Sequence, residues 1–246
     1  MALKQVLRQK LERIAKIVIC TFLFLLLMSC IFNKNILETP INKKYTTLIN
    51  SANTNNLNYK MTKNKIIPTA INHEITTALS YFTELENTVI HFKFKDNIKK
   101  STMQAQPEFS SVFKSRKNRK YYIFINPIFK VENNILRTVD LPSDVLIGWI
   151  GHELGHIMDY EQQSGFNLLR FGLGYTFSDS FIRKAERTAD SFAVRHGMRD
   201  YILRTKNYIL NHIDISETYK ARIKKYYLSP DEIMNLVNSD GTTDLP

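Results

Sequence analysis

Residues 148–160 read GWIGHELGHIMDY, in which His152 and His156 flank Glu153. On an α-helix, side chains four positions apart leave the axis about 40° apart on successive turns, so both imidazoles can reach one ion. Zinc suits such a pair, because it takes nitrogen and oxygen donors tetrahedrally and a catalytic site keeps the fourth position for water. A glutamate beside the first ligand is placed to take the proton from that water as general base. HELGH therefore matches the metal-binding pattern HExxH, with His152 and His156 as ligands and Glu153 as the catalytic group. The competing reading is a pair of core or surface histidines on an ordinary helix.

A third ligand has to come from elsewhere in the chain. One class of HExxH enzyme takes a histidine six residues after the second one, following a glycine; those positions here hold Gln162 and Asp159, which excludes it. The gluzincin pattern instead takes a glutamate from a later helix, with an aspartate four residues beyond it that orients the first histidine. RKAERTADSFAVRHG, residues 183–197, supplies Glu186 and Asp190 at that spacing. A metal-binding imidazole usually donates its other N–H to a carboxylate, which gives Asp190 a physical task. On spacing alone the pair would read as a solvated helix face.

Together these motifs resemble the gluzincin peptidase family that includes the CAAX prenyl protease, HtpX and periplasmic relatives of the BepA kind. The likeness covers about residues 120–200 and rests on HELGH with its lead-in LPSDVLIGWIG, and on RKAERTAD with Arg183 three positions before Glu186. INP after YYIF is similar to the family's upstream strand and asparagine, except that Pro127 replaces the usual small residue after Asn126. The resemblance implies an α+β zincin-like domain, His152, His156 and Glu186 as ligands to one Zn2+ per chain, Glu153 as catalytic base, and Asp190 as support for His152. It also implies a polypeptide substrate lying extended against an edge strand, for which residues 120–126 are the candidate. ERTADSFA is similar, too, to the ImmA/IrrE-like group, whose members are usually cytoplasmic and act with regulators.

The start of the chain argues for export. Lys4, Arg8, Lys10, Arg13 and Lys16 precede an apolar run from Ile17 to Met28 and the lipobox-like LMSC ending at Cys30. Extended to Phe32 the run is 16 residues, short of the roughly 20 that span a bilayer. Residues 1–32 thus read as a signal peptide lipidated at Cys30 or as an uncleaved membrane anchor, leaving the body of the protein in the bacterial envelope. Residues 33–65, with nine asparagines up to position 64, read as a disordered tether, residues 66–238 as the metallopeptidase domain and 239–246 as a polar tail. Cys20 and Cys30 are the only cysteines, so the domain has neither disulfides nor thiolate ligands.

The elements that must position the site are mostly helical with a small sheet. After Pro68, Ile71, Ile75, Leu79, Phe82 and Leu85 recur at helical intervals, and TVIHFKFK alternates as a half-buried strand. Residues 96–119 read as a polar loop, YYIFI as a strand ended or held at an edge by Pro127, and NILRTV as another strand after a turn at 132–134. A helix capped by Asp140 or Ser143 carries HELGH to about Gln163. The apolar segment 165–178 has three glycines that argue against a regular helix; it is expected to bury in the core, the alternatives being a wall of the cleft or a contact with lipid, and Asp179–His196 forms a helix ended by Gly197. Gly148, Gly151 and Gly155 form a strip on the HELGH helix that calls for close packing. Tyr160, His196, Tyr201 and His212 are able to donate to a developing oxyanion, but the sequence does not choose among them and favours a satisfied structural role for each.

The net charge of +11 is compatible with many soluble enzymes and with anionic partners. KSRKNRK, residues 114–120, has no interleaved aromatics, so no nucleic acid partner is expected. The reading is an exported, membrane-tethered zinc endopeptidase using a metal-bound water activated by Glu153. Its rival is a non-proteolytic envelope assembly factor that keeps zinc as a structural element.

Overall fold

The alternation of Ile90, Phe92 and Phe94 with His91, Lys93 and Lys95 produces a strand whose Ile90 and Phe92 are buried. It belongs to an α+β domain, mostly helical with a small mixed sheet, seen in a computed structural model that describes residues 61–96, 98, 101–130, 135–212 and 214–239. The signal or anchor, the tether up to residue 60 and the turn at 132–134 lie outside the described residues. Folded structure begins before the expected boundary: Met61 is buried in the core, and Lys65–Ile66 forms strand β1.

The sheet contains β1, β2 (Val89–Phe94), β3 (Met103–Pro107) and β4 (Lys120–Ile125), in the order β1-β2-β4-β3. The first three in that order are parallel and β3 is antiparallel to β4. Register brings Phe92 and Ala105 opposite Ile123, and Met103 opposite Ile125, so one face is apolar and packs against the helices. Two expectations are corrected here. Segment 96–119 contains β3, whose polar Gln104 and Gln106 and terminal Pro107 hide the alternation of buried Met103 and Ala105. Residues 120–126 are not an edge, because β4 is hydrogen-bonded on both sides; among the described residues the outer strands are β1 and β3, and β3 is the one against the HELGH helix. A short hairpin follows, β5 (Ile128–Lys130) against β6 (Ile135–Arg137).

Helix α1 (Asn72–Ser80) and its flanking single turns bury Ile71, Ile75, Leu79, Phe82 and Leu85, as the periodicity requires. Helix α2 (Ser143–Gln162) is buried along most of its length and packs on α1, β3 and two later helices. Its cap differs from expectation. Pro142 occupies the N-cap, while Ser143 Oγ donates to Glu74 and Asp140 pairs with Arg137. Proline suits this end because its missing N–H would have had no helical partner.

Segment 165–178 forms helix α3 (Gly165–Phe177), contrary to the glycine argument, with Ser164 Oγ accepting from Asn167 N. Close contacts account for two of the three glycines: a Cβ at Gly165 would lie 2.6 Å from the Val112 carbonyl oxygen, and one at Gly174 would lie 2.7 Å from the Phe181 ring, while Gly172 faces open space. The expected burial of the segment holds for Leu168, whereas Phe166 and Phe177 are exposed. Helix α4 (Asp179–Ala193) follows, then a wide turn in which Gly197 takes a left-handed φ of 84°, then α5 (Arg199–Asn211), α6 (Glu217–Tyr226) and α7 (Pro230–Ser239).

The glycine strip of α2 meets its neighbours at backbone distance. A Cβ at Gly148 would fall 2.3 Å from the Tyr201 carbonyl oxygen of α5, and one at Gly155 would fall 2.3 Å from the Ala189 carbonyl oxygen of α4. Gly155→Ala gains about 1 kcal/mol of helix propensity but forces two backbones apart. The variant is expected to lose about 1–3 kcal/mol net, measured by urea unfolding. A stability equal to or above wild type would show that the α2–α4 contact is loose.

Candidate metal centre

His152 and His156 leave α2 on successive turns, their ring centroids 4.8 Å apart and their planes at 85°. Glu186 comes from α4, and all three side chains are buried. Glu186 Oε2 lies 3.0 Å from His152 Nε2 and 3.3 Å from His156 Nε2. The three donor atoms converge within 4.8 Å of one another, so the triad can hold a metal ion. A first-row ion bound tetrahedrally at about 2.0–2.2 Å sets its ligand atoms about 3.3–3.6 Å apart, close to the two distances observed here.

The charges of the surroundings fit the same conclusion. Asp190, fully buried on α4, accepts from His152 Nδ1 at 2.8 Å, Lys206 Nζ at 2.8 Å and the Leu228 backbone N–H at 3.0 Å. The bond to Nδ1 fixes the tautomer that leaves Nε2 free for a metal. Burial opposes ionisation of Asp190, but Lys206 and His152 outweigh it and hold its carboxyl below the usual range. For Glu186 burial is likewise outweighed, here by the two imidazoles, so it too stays ionised. Burial also disfavours a charged His152, yet Asp190 and Glu186 push its pKa up to about 10. Two carboxylates thus draw positive charge onto the ring; a divalent cation satisfies the same demand and leaves the ring neutral.

His156 is held differently. Its Nδ1 is buried with no hydrogen-bond partner among the described residues, and its ring stacks on Tyr160 with centroids 6.1 Å apart. Glu186 gains a further anchor, since Tyr175 of α3 donates its hydroxyl to Oε1. Tyr227 lies tilted against His152 at 5.2 Å and carries Lys206 over its ring at 4.1 Å.

Glu153, the residue after the first histidine, is buried and reaches toward the sheet. Its Oε2 accepts the N–H of Ala105 in β3 at 2.6 Å. Burial raises its pKa, partly offset by His156 and His152. The Ala105 carbonyl accepts from the Tyr160 hydroxyl at 3.3 Å. Burial, then the charge of Glu153, pushes the Tyr160 pKa well up, so the phenol stays a donor.

His152, Glu153, His156, Glu186 and Asp190 are therefore brought together. Of the four candidate donors Tyr160 alone adjoins a ligand ring: His196 stacks on Phe82 and meets Glu84, Tyr201 meets Tyr81, and His212 meets Tyr208. Sequence reasoning missed Lys206, Tyr175, Tyr227 and Ala105. Lys206 and the two tyrosines sit outside the motifs at no diagnostic spacing, and Ala105 was hidden with β3. No protein-family model, curated protein or solved structure matches the chain.

Two substitutions separate ligation from support. Glu186→Ala is expected to abolish stoichiometric metal binding, measured as metal content of the purified chain; unchanged content would remove Glu186 from the ligand set. Lys206→Met leaves Asp190 without its cation and is expected to destabilise the metal-loaded protein by about 3–5 kcal/mol in denaturant titration.

Proposed function

We propose that the domain is a zinc-dependent endopeptidase, exported and held at a membrane by its N-terminal segment. The observation that carries this reading is Glu153. It adjoins a convergent His152–His156–Glu186 triad and is itself bonded to an outer strand of the sheet. A purely structural ion needs no buried general base beside it. A zinc ion held by the triad supplies positive charge that polarises a peptide carbonyl and acidifies a water molecule.

The chain's own residues supply positioning and proton transfer. Glu153 takes a proton from the attacking water at a carboxylate oxygen and hands it to the leaving amine. Its burial shifts the pKa toward the range in which one group can both accept and release a proton. The Ala105 N–H restrains one oxygen, so the proton acceptor is already oriented before substrate arrives.

Substrate recognition follows from the corrected edge. In the antiparallel β3–β4 pair, Thr102 and Glu108 bond inward to Asn126 and Lys120, so alternation turns the polar groups of Met103 and Ala105 outward. Ala105 presents its N–H and carbonyl on the side of α2, where Glu153 and Tyr160 meet them. A substrate strand laid along β3 runs past the base and the triad together, its backbone making the contacts that a sequence-tolerant peptidase needs.

Glu153→Gln keeps the shape of the site and removes the base. It is expected to retain about one zinc per chain and to cut an unfolded fluorogenic protein about 10²–10⁴-fold more slowly. A variant that cleaves at the wild-type rate would sink the catalytic assignment, and a metal-loaded wild type without any cleavage would favour the non-proteolytic assembly factor.

A further inference from the structure

Two neighbouring segments expose apolar rings beside cations and contain no carboxylate. Segment 109–120 (FSSVFKSRKNRK) and segment 163–178 (QSGFNLLRFGLGYTFS) hold six lysines and arginines and no Asp or Glu. They meet where Gly165 packs under the Val112 carbonyl and the Phe113 ring, and where Arg116 Nη2 donates to the Gln162 carbonyl at 3.1 Å. Buried Arg119 fastens the first segment to the end of α2 through the Tyr160 and Gln163 carbonyls. Lys114, Arg116, Lys117 and Arg170 stay exposed, with Phe109 at 43%, Phe113 at 67%, Phe166 at 67% and Phe177 at 82% exposure. The nearest acids are engaged: Glu108 by Tyr122, Glu161 by Arg119 and Arg116, and Asp179 by Lys225 and Tyr226.

Helix α3 sorts its side chains by face. Phe166, Arg170 and Phe177 fall within about 40° of one another around the axis, whereas Leu168, Phe171 and Tyr175 occupy the opposite side. The second set is internal: Leu168 is buried, Phe171 packs on Tyr160, and Tyr175 donates to Glu186. The first set has no protein covering it among the described residues.

We propose that this surface, the outer face of α3 with segment 109–120, docks on an anionic lipid bilayer. Phenylalanine rings enter the headgroup–acyl boundary while lysine and arginine side chains meet phosphate groups, the arrangement of an interfacial helix. The proposal rests on reading the apolar run Ile17–Met28 as an export signal or membrane anchor, which would give this basic surface a bilayer to meet. Phe166 and Phe177 lie about 16 Å apart along α3, too far to stack on successive bases, which disfavours a nucleic acid strand. Docking sets the wall of the metal centre against the membrane, because the helix that touches lipid with Phe177 touches Glu186 with Tyr175. The inference does not depend on whether the triad is catalytic.

Trp149, the single tryptophan, is buried, so tryptophans added on the surface can be read by difference. Full-length Phe166→Trp, Phe177→Trp and, as a control on α7, Met234→Trp are mixed with vesicles of phosphatidylglycerol and phosphatidylcholine carrying brominated acyl chains. The added emission at 166 and 177 is expected to shift to shorter wavelength and to be quenched, while that at 234 is unchanged. Lys114→Glu, Lys117→Glu and Arg170→Glu introduced together should abolish the quenching without altering metal content. Equal quenching at all three positions would mean that the N-terminal segment alone holds the protein and would overturn the proposal. So would emission changes at 166 and 177 with single-stranded oligonucleotide but not with vesicles.

Discussion

Helices α2 and α4 touch backbone to backbone at Gly155 and Ala189, and the distances in the metal centre follow from that approach. The ligands on the two helices are short or rigid: two imidazoles with one outward direction each, and one glutamate. A side chain at position 155 would push α4 outward, and Glu186 Oε2 could then not sit near 3 Å from both histidines. The helix that carries the ligands thus gives up propensity at its glycines so that its neighbours can come close. Gly148 does the same against α5, which brings Lys206 beneath Asp190.

Close packing creates the electrostatic problem that the remaining residues answer. Glu153, Glu186 and Asp190 are all buried, and a buried carboxylate is costly unless its lone pairs are occupied. Asp190 has three donors; Glu186 has two imidazoles and the Tyr175 hydroxyl; Glu153 has the Ala105 N–H. Among the described residues Lys206 is the one buried ammonium bonded to this group, and its charge goes to Asp190 rather than to the triad. The cation that Glu186 and the histidines call for is therefore not supplied by that lysine. A divalent ion bound by the converging nitrogen and oxygen donors would answer that deficit.

Much of this was legible in the sequence, for reasons that can be located. HELGH and ERTAD lie on long helices, where a fixed angle per residue turns spacing into direction, so the convergence of the two α2 histidines needed no tertiary information. Ile71, Ile75 and Leu79 likewise declared α1. Strand β3 did not declare itself, because a short strand with glutamines on one face has a weak pattern and exists through pairing with β4. Helix α3 was obscured by its glycines, two of which are required by close approach to Val112 and Phe181, residues distant from it or beyond its end. Lys206 could not be inferred at all, since nothing local distinguishes a lysine that will be buried against Asp190 from one left in water.

The misplaced edge strand has a mechanistic consequence. Under the proposed function, a substrate strand would add to β3 rather than to β4. With β3 outermost, the same backbone that would receive substrate is bonded to Glu153 through Ala105 N and to Tyr160 through Ala105 O. Both groups come from α2, Glu153 between the two histidines and Tyr160 about one turn after His156, so sheet edge and helix form one rigid unit rather than two parts that must be aligned on binding. Under the proposed function, a peptide entering along β3 would compete with Glu153 and Tyr160 for the polar groups of Ala105, so occupancy of the edge would reach the base through that hydrogen bond.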